Sequence, residues 1–304
     1  MKTSTLSGFS FIIPALILIS IFVVYPIIAT IALSFNVSLG LGGGVVRDSQ
    51  PGLENYYVVL ASPSFINVHG IETLSFPMGA IVHNILWIAI HLPLTIMLGL
   101  LFAVLLQNVK GGAVIRSFMF LGMVIPMIVG GLLIMFSLDR DLGVVNLFLK
   151  VIGLGSYARS WTIYPDTALF SLILGSLWLW SGFSVTLYSA GLSSLPRELI
   201  EAAVVDGASF RRILFDIIIP QLKPVTVTVV AMTILWDLKI FDIVYASTMG
   251  GPGGASMVLA VLMYDYFARA LNYPMASTVA TILTLVTIPP AILLFKYSKT
   301  GEAK

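Results

Sequence analysis

Long apolar runs without a formal charge constrain this chain more than any other feature. A helix needs about 20 mostly apolar residues to cross a hydrocarbon core roughly 30 Å thick. Five segments meet that demand with no Asp, Glu, Lys or Arg: Phe9–Phe35, Ala80–Leu106, Ser117–Leu138, Thr167–Leu192 and Pro274–Phe295. A sixth, Pro224–Ala246, contains Asp237, Lys239 and Asp242. A membrane β-barrel would show short alternating stretches instead. Only 10% of the 304 residues are charged, against about 25% in soluble domains, so a water-soluble enzyme is excluded. The net charge of +2 offers no basic surface for nucleic acid. The expected fold is all-α, a polytopic bundle of six spans in the lipid bilayer, forming one domain over residues 1–304.

Loop charges orient such a bundle, because short cytoplasmic loops carry the excess of Lys and Arg. Lys2, Lys110, Arg116, Arg197, Arg211, Arg212, Lys223, Lys296, Lys299 and Lys304 fall on one side; Arg47, Arg140, Lys150, Arg159 and Arg269 fall on the other. The larger set places both termini in the cytoplasm of a multi-pass cell-membrane protein. Gln107–Arg116 and Ser193–Lys223 are then cytoplasmic loops, and Asn36–Gly79, Asp139–Asp166 and Ser247–Tyr273 lie outside. Leu53–Leu60 reads as a short outer helix, and Leu39–Gly44 as a glycine-rich loop tip. The run Phe9–Phe35 far exceeds the core of a signal peptide, about 7–15 residues, and is expected to remain as the first span.

Several chemistries are missing. Cysteine is absent, which removes disulfides and thiolate metal sites. No Walker A spacing, G-x-S-x-G turn or H-E-x-x-H helix occurs. His83, Trp87 and His91 fall at i, i+4, i+8, so the imidazoles are about 12 Å apart along a helix and cannot share a metal. Buried histidines are expected there. No cofactor, metal or enzymatic activity is expected in this chain. An ion-coupled transporter usually sets carboxylates, His or Lys within its spans. Five spans here have no formal charge, so the energy is expected to come from another subunit.

The cytoplasmic segment Ser193–Lys223 is unlike the other loops. Leu195-Pro196 begins a helix whose Glu198 and Glu201 complement the helix dipole. Glu201-Ala202-Ala203 presents a shallow surface, followed by Asp206 and by Gly207, which permits a turn that a Cβ resists. Phe210–Ile219 then resumes as an amphipathic helix with Arg211, Arg212 and Asp216, and Pro220 ends it. Taken alone, this could be a helical hairpin lying on the membrane surface.

The order Glu201-Ala202-Ala203, three residues, Gly207, nine residues, Ile217-Ile218-Ile219-Pro220 resembles the signature loop of membrane subunits of ATP-binding-cassette importers. Ile219 stands where that pattern has Leu. Ser193-Ser194-Leu195-Pro196-Arg197-Glu198, Phe241-Asp242, Thr248–Pro252, Asp141–Asn146 and His83-Asn84 are similar to the sugar-permease branch, of the maltose, trehalose and glycerol-phosphate type. The resemblance covers about Gly52 to Phe295. It implies that Glu201, Ala202, Ala203, Asp206, Gly207, Arg211 and Pro220 form the loop that docks on a separate ATPase, which carries ATP and Mg. The implied partners are a second homologous permease, two ATPase copies and an external sugar-binding protein. An ion-coupled transporter, an assembly scaffold and an importer of a non-sugar solute such as glycerol phosphate are the alternatives.

Sugars are held by aromatic faces and convergent hydrogen-bonding groups. Trp178 and Trp180 are about 200° apart around the fourth span, so at most one faces a pathway, and Trp180 is the candidate. Ser277, Thr278, Thr281 and Thr284 form a polar stripe on the sixth span, with Ser277 and Thr281 as pathway candidates; close helix packing explains such a stripe equally. In the fifth span, Lys239 and Asp242 are spaced to pair near the outer interface. Asp237 lies about 20 Å along a helix entering at Pro224. An Asp that deep costs about 2.5–3.5 kcal/mol, so Asp237, with Trp236 beside it, is expected to face water, solute or a partner chain.

Overall fold

The structure, a computed structural model, describes residues 5–37, 51–107 and 109–301. Leu39–Gly44, Arg47, Lys2 and Lys304 lie outside the described residues. Every regular element among the described residues is helical.

The first apolar run forms α1 (Thr5–Ile19), a π turn (Ser20–Val24) and α2 (Tyr25–Ser34). Pro26 cannot donate to the carbonyl four residues back, and the wider π turn just before it absorbs that mismatch. Two short helices follow, α3 (Glu54–Ala61) and α4 (Val68–Glu72), the first of them where the sequence places the outer helix. The second run is α5 (Ala80–Leu105), unbroken despite Pro93.

The third run departs from the expected single helix. It divides into α6 (Gly112–Val124) and α7 (Met127–Ser137), bent by 107°. Pro126 supplies the reason, since a residue before proline is pushed out of the helical region, and Ile125 is extended at ψ 130. After α8 (Val144–Val151), α9 (Pro165–Ser193) is the longest buried helix and packs along both α5 and α6.

The Glu-Ala-Ala segment comprises α10 (Arg197–Val205) and α11 (Phe210–Arg212), which passes through a π segment (Ile213–Ile218) into α12 (Ile219–Gln221). Pro220 therefore sits inside this helix and does not end it. The π segment again takes up the missing proline N–H, and the bend, 67°, comes at Leu222. The fifth run is shorter than expected. α13 (Lys223–Leu238) stops before Lys239, and α14 (Asp242–Thr248) is a separate helix. Lys239 and Asp242 consequently do not share a helical face and form no ion pair. α15 (Leu259–Tyr264), a π turn (Asp265–Arg269) and α16 (Tyr273–Gly301) complete the chain.

Four helices are long and apolar enough to span a membrane, or up to six spans when each bent pair counts once. Three apolar clusters hold them together. One joins Trp87, Leu169, Leu172, Ile173, Ile243 and Val261 away from the Glu-Ala-Ala loop. A second joins Ala103, Tyr188, Leu192, Ile213, Ile218 and Leu222 beneath that loop. A third packs Val59, Phe65, Ala80, Leu259 and Val279.

Candidate functional site

Two places carry polar or exposed features that packing alone does not require. The first is the Glu-Ala-Ala loop. Pro196 precedes α10 and Ser209 caps α11, its hydroxyl accepting from the Arg212 N–H. Between them the chain turns at Gly207, φ +74, whose N–H donates to the Val204 carbonyl while the Ala208 N–H donates to Ala203. This is a helix C-terminus closed by a left-handed glycine. Ile200, Ala203 and Ala208 pack inward on the cluster around Leu192 and Ile213. Glu201, Ala202, Asp206, Gly207, Arg211 and Pro220 are exposed, beside an apolar fringe of Leu199, Val204, Val205 and Phe210. A Cβ on Gly207 would meet no atom of the described residues within 4 Å, so none of them covers that spot. Anchored on one side and open on the other, the loop has the form of a docking surface.

The second place is a seam where α5, α9 and α13 meet inside the bundle. Trp87, His91 and Thr95 lie one turn apart on α5, Trp180 and Ser184 on α9, and Thr233 and Asp237 on α13; all are buried. Asp237 is fully buried, and its Oδ1 lies 2.9 Å from His91 Nδ1. That contact is close yet off hydrogen-bond alignment, and the remaining polar atoms of these seven side chains have no hydrogen-bond partner. Buried polar groups are ordinarily paired, so this row marks the seam out. Asn84, two turns before His91, is fully paired. Its Nδ2 donates to the carbonyls of Asp237 (3.0 Å) and Leu238 (3.3 Å), and its Oδ1 accepts from the Leu259 N–H (2.9 Å).

Aromatic rings border the seam. Trp180 and Trp236 stack with centroids 4.1 Å apart and planes at 23°, and Phe183 meets Trp236 edge-on at 4.6 Å. Trp178, as its spacing predicts, turns the other way; it is exposed and lines an apolar recess of about 760 Å³. Ser277 and Thr281 are buried, and Thr281 donates to the Ser277 carbonyl of its own helix. Thr278 likewise donates to Pro274. The threonines of the stripe thus donate to carbonyls of their own helix, Thr278 also reaching the Ser34 carbonyl of α2 at 3.4 Å. The buried histidines are as expected, with His83 held between the Met78 N–H and the Met257 carbonyl. Sequence reasoning missed His91 as the partner of Asp237, and it missed Asn84, Phe183 and Thr233. Only the packing of α5, α9 and α13 against one another brings these together.

Residues 95–297, which include the Glu-Ala-Ala loop and most of the seam, match the family described as binding-protein-dependent transport system inner membrane component. The chain belongs to this family. A probable ABC transporter permease protein of Pyrococcus horikoshii is 55% identical over 293 residues, covering 96% of this chain and 98% of the relative. The trehalose/maltose transport system permease MalF of Thermococcus litoralis is 28% identical over 97% of this chain and 93% of its own. The lactose transport system permease LacF of Rhizobium radiobacter is 30% identical over 95% and 92%. The fold matches a subunit of a bacterial alginate ABC transporter solved with a pentasaccharide-bound periplasmic protein, at a TM-score of 0.72 and 18% identity over 95% of this chain and 92% of that one. The protein is therefore the integral inner-membrane permease component of a binding-protein-dependent ABC importer, related to sugar permeases. A permease of this kind is not an enzyme; ATP hydrolysis belongs to a separate subunit.

Proposed function

We propose that this permease carries a sugar across the membrane as one of two homologous permease subunits, driven by two copies of a separate ATPase. An external binding protein delivers the solute, both termini are cytoplasmic, and the single domain crosses the membrane six times, each bent pair serving as one span. ATP and Mg stay on the ATPase, and this chain needs no cofactor. The observation that carries the reading is the Glu-Ala-Ala loop, with Gly207 exposed, free of neighbours and set on an anchored helix pair. Glu201, Ala202, Asp206, Gly207, Arg211 and Pro220 form the docking face, with Ala203 packed inward beneath it.

The solute site is the aromatic stack of Trp180, Trp236 and Phe183, which offers flat faces of the kind sugar rings pack against. Ser277 and Thr281 are set aside for packing. The buried polar residues include no Lys or Arg among the described residues, which favours a neutral sugar over glycerol phosphate, since a phosphate calls for such a partner.

The test is reconstitution of the whole complex in proteoliposomes with radiolabelled maltose, trehalose, lactose and glycerol phosphate. ATP-dependent uptake of a sugar is expected, with Trp180→Ala weakening apparent affinity for it. Unchanged kinetics in that variant remove Trp180 from the site, and uptake that follows an ion gradient without ATP overturns the importer reading.

A further inference from the structure

Asp237 is not a water-facing charge in this structure. Its side chain is fully buried, as is that of His91, and the two approach to 2.9 Å. A buried pair of this type adds little net stability compared with apolar residues of the same shape, because desolvation offsets the attraction. Its effect is on geometry. Asn84 already ties the last carbonyls of α13 to α5. The His91 contact adds a second tie nearer the middle of α5, about 10 Å further along that helix. Two ties at different heights fix both the position of the end of α13 and its rotation about its own axis.

Rotation matters because Trp236 is the neighbour of Asp237, about 100° around the helix. While Asp237 is held toward α5, the Trp236 ring is directed to α9, where it stacks on Trp180 and meets Phe183. A ring at the helix surface lies about 5–6 Å from the axis, so a rotation of about 20° displaces it by about 2 Å. In enzymes, displacements near 1 Å of a positioned group are enough to cost about 100-fold in rate.

We infer that His91 is a positioning residue for the solute site: paired with Asp237, it sets the rotation of α13 and so holds Trp236 against Trp180. This rests on the reading of the tryptophan stack as the solute site.

The experiment uses the assembled complex and reads two things. One is the exciton couplet in circular dichroism from the stacked indoles, defined as the signal lost in Trp180→Phe and Trp236→Phe. The other is maltose uptake in proteoliposomes. His91→Ala is expected to abolish the couplet and to raise the half-saturating maltose concentration about tenfold or more, with far less change in maximal rate and with the ATPase still co-purifying. The exchange H91D/D237H and the neutral pair H91Q/D237N are expected to restore the couplet, and they decide the matter if His91→Ala fails to assemble. A couplet retained in assembled His91→Ala or Asp237→Ala overturns the inference, as does its absence from the unsubstituted complex or from both paired variants. The couplet decides whether or not maltose is carried. If Trp180→Ala leaves uptake kinetics unchanged while His91→Ala abolishes the couplet, the solute-site reading fails and the positioning stands. If Trp180→Ala weakens affinity and His91→Ala alters neither readout, the positioning fails and the solute site stands.

Discussion

Replacing Asn84 with Ala removes three hydrogen bonds from one buried point. The Asn84 amide donates to the carbonyls of Asp237 and Leu238 at 3.0 and 3.3 Å, and its carbonyl oxygen accepts from the Leu259 N–H at 2.9 Å. Two of these partners are terminal carbonyls of α13, which have no partner within their own helix. The third is the N–H of the first residue of α15. Water cannot easily replace them, because Asn84 is fully buried. Net hydrogen-bond contributions run at about 0.6–1.5 kcal/mol each across soluble and membrane proteins. Three lost bonds therefore give about 2–4.5 kcal/mol, which at about 1.5 °C per kcal/mol for a chain of 304 residues lowers the apparent unfolding midpoint by about 3–7 °C. Asn84→Asp should be no better than Ala: it keeps an acceptor for Leu259 but turns an anion toward two carbonyl oxygens. The assay is thermal unfolding of purified protein in detergent, at one scan rate because such transitions are often irreversible. Midpoints indistinguishable from the parent in both variants would refute the claim that Asn84 closes the end of α13.

Gly207→Asp is expected to stop uptake and weaken co-purification with the ATPase while membrane insertion stays normal; parental uptake would remove the coupling role from the loop. A Cβ on Gly99 would collide with the Oγ and Cβ of Ser184, so Gly99→Ala should destabilise by about 1–3 kcal/mol and G99A/S184G should recover most of it, as read from thermal unfolding of both. In the loop between α7 and α8, the Leu142 N–H, then the Asp141 N–H and the Ser160 hydroxyl, hold the Asp139 carboxyl below its usual range. A lowered value in the folded state means that this contribution is complete above about pH 4 and fades as the pH falls through the folded value. Asp139→Asn should flatten that part of the pH dependence of unfolding, and an identical profile in the variant would dismiss the loop as its source.

The sequence made the helices legible because an uncharged run of this length has few other stable forms in lipid. The loop was legible too, down to the glycine turn, since local spacing and backbone need coincide at Gly207. What stayed hidden was tertiary. The bend at Pro126 breaks a run whose hydropathy is continuous, and the stop after Leu238 has no proline or glycine to announce it. Asn84, 153 positions earlier, helps to take up the freed carbonyls, with the Ile240 N–H also donating to that of Asp237. Likewise His91 looks inert beside His83 along one helix, and only the pairing of α5 with α13 turns it toward Asp237. Pro220 misled for the opposite reason: a strong local rule was relaxed by a π segment.

The two candidate places are mechanically joined. The helix that runs from Phe210 to Gln221 meets α13 at Leu222 with a 67° bend, and α13 has 16 residues, so it reaches about 24 Å from the loop to the seam. On the proposed reading, a displacement of the docked loop is delivered by α13 to Asp237 and Trp236 at its far end. A seam of unpartnered polar atoms suits that task. Closed, it leaves the groups of His91, Thr95, Ser184 and Thr233 without hydrogen bonds; opened, it lets water or solute hydroxyls supply them. The closed and open states are thereby brought nearer in free energy than an apolar seam of equal area would allow. An ATP-driven partner can shift such an equilibrium only by its differential affinity for the two states, so a narrow gap lets a modest difference suffice.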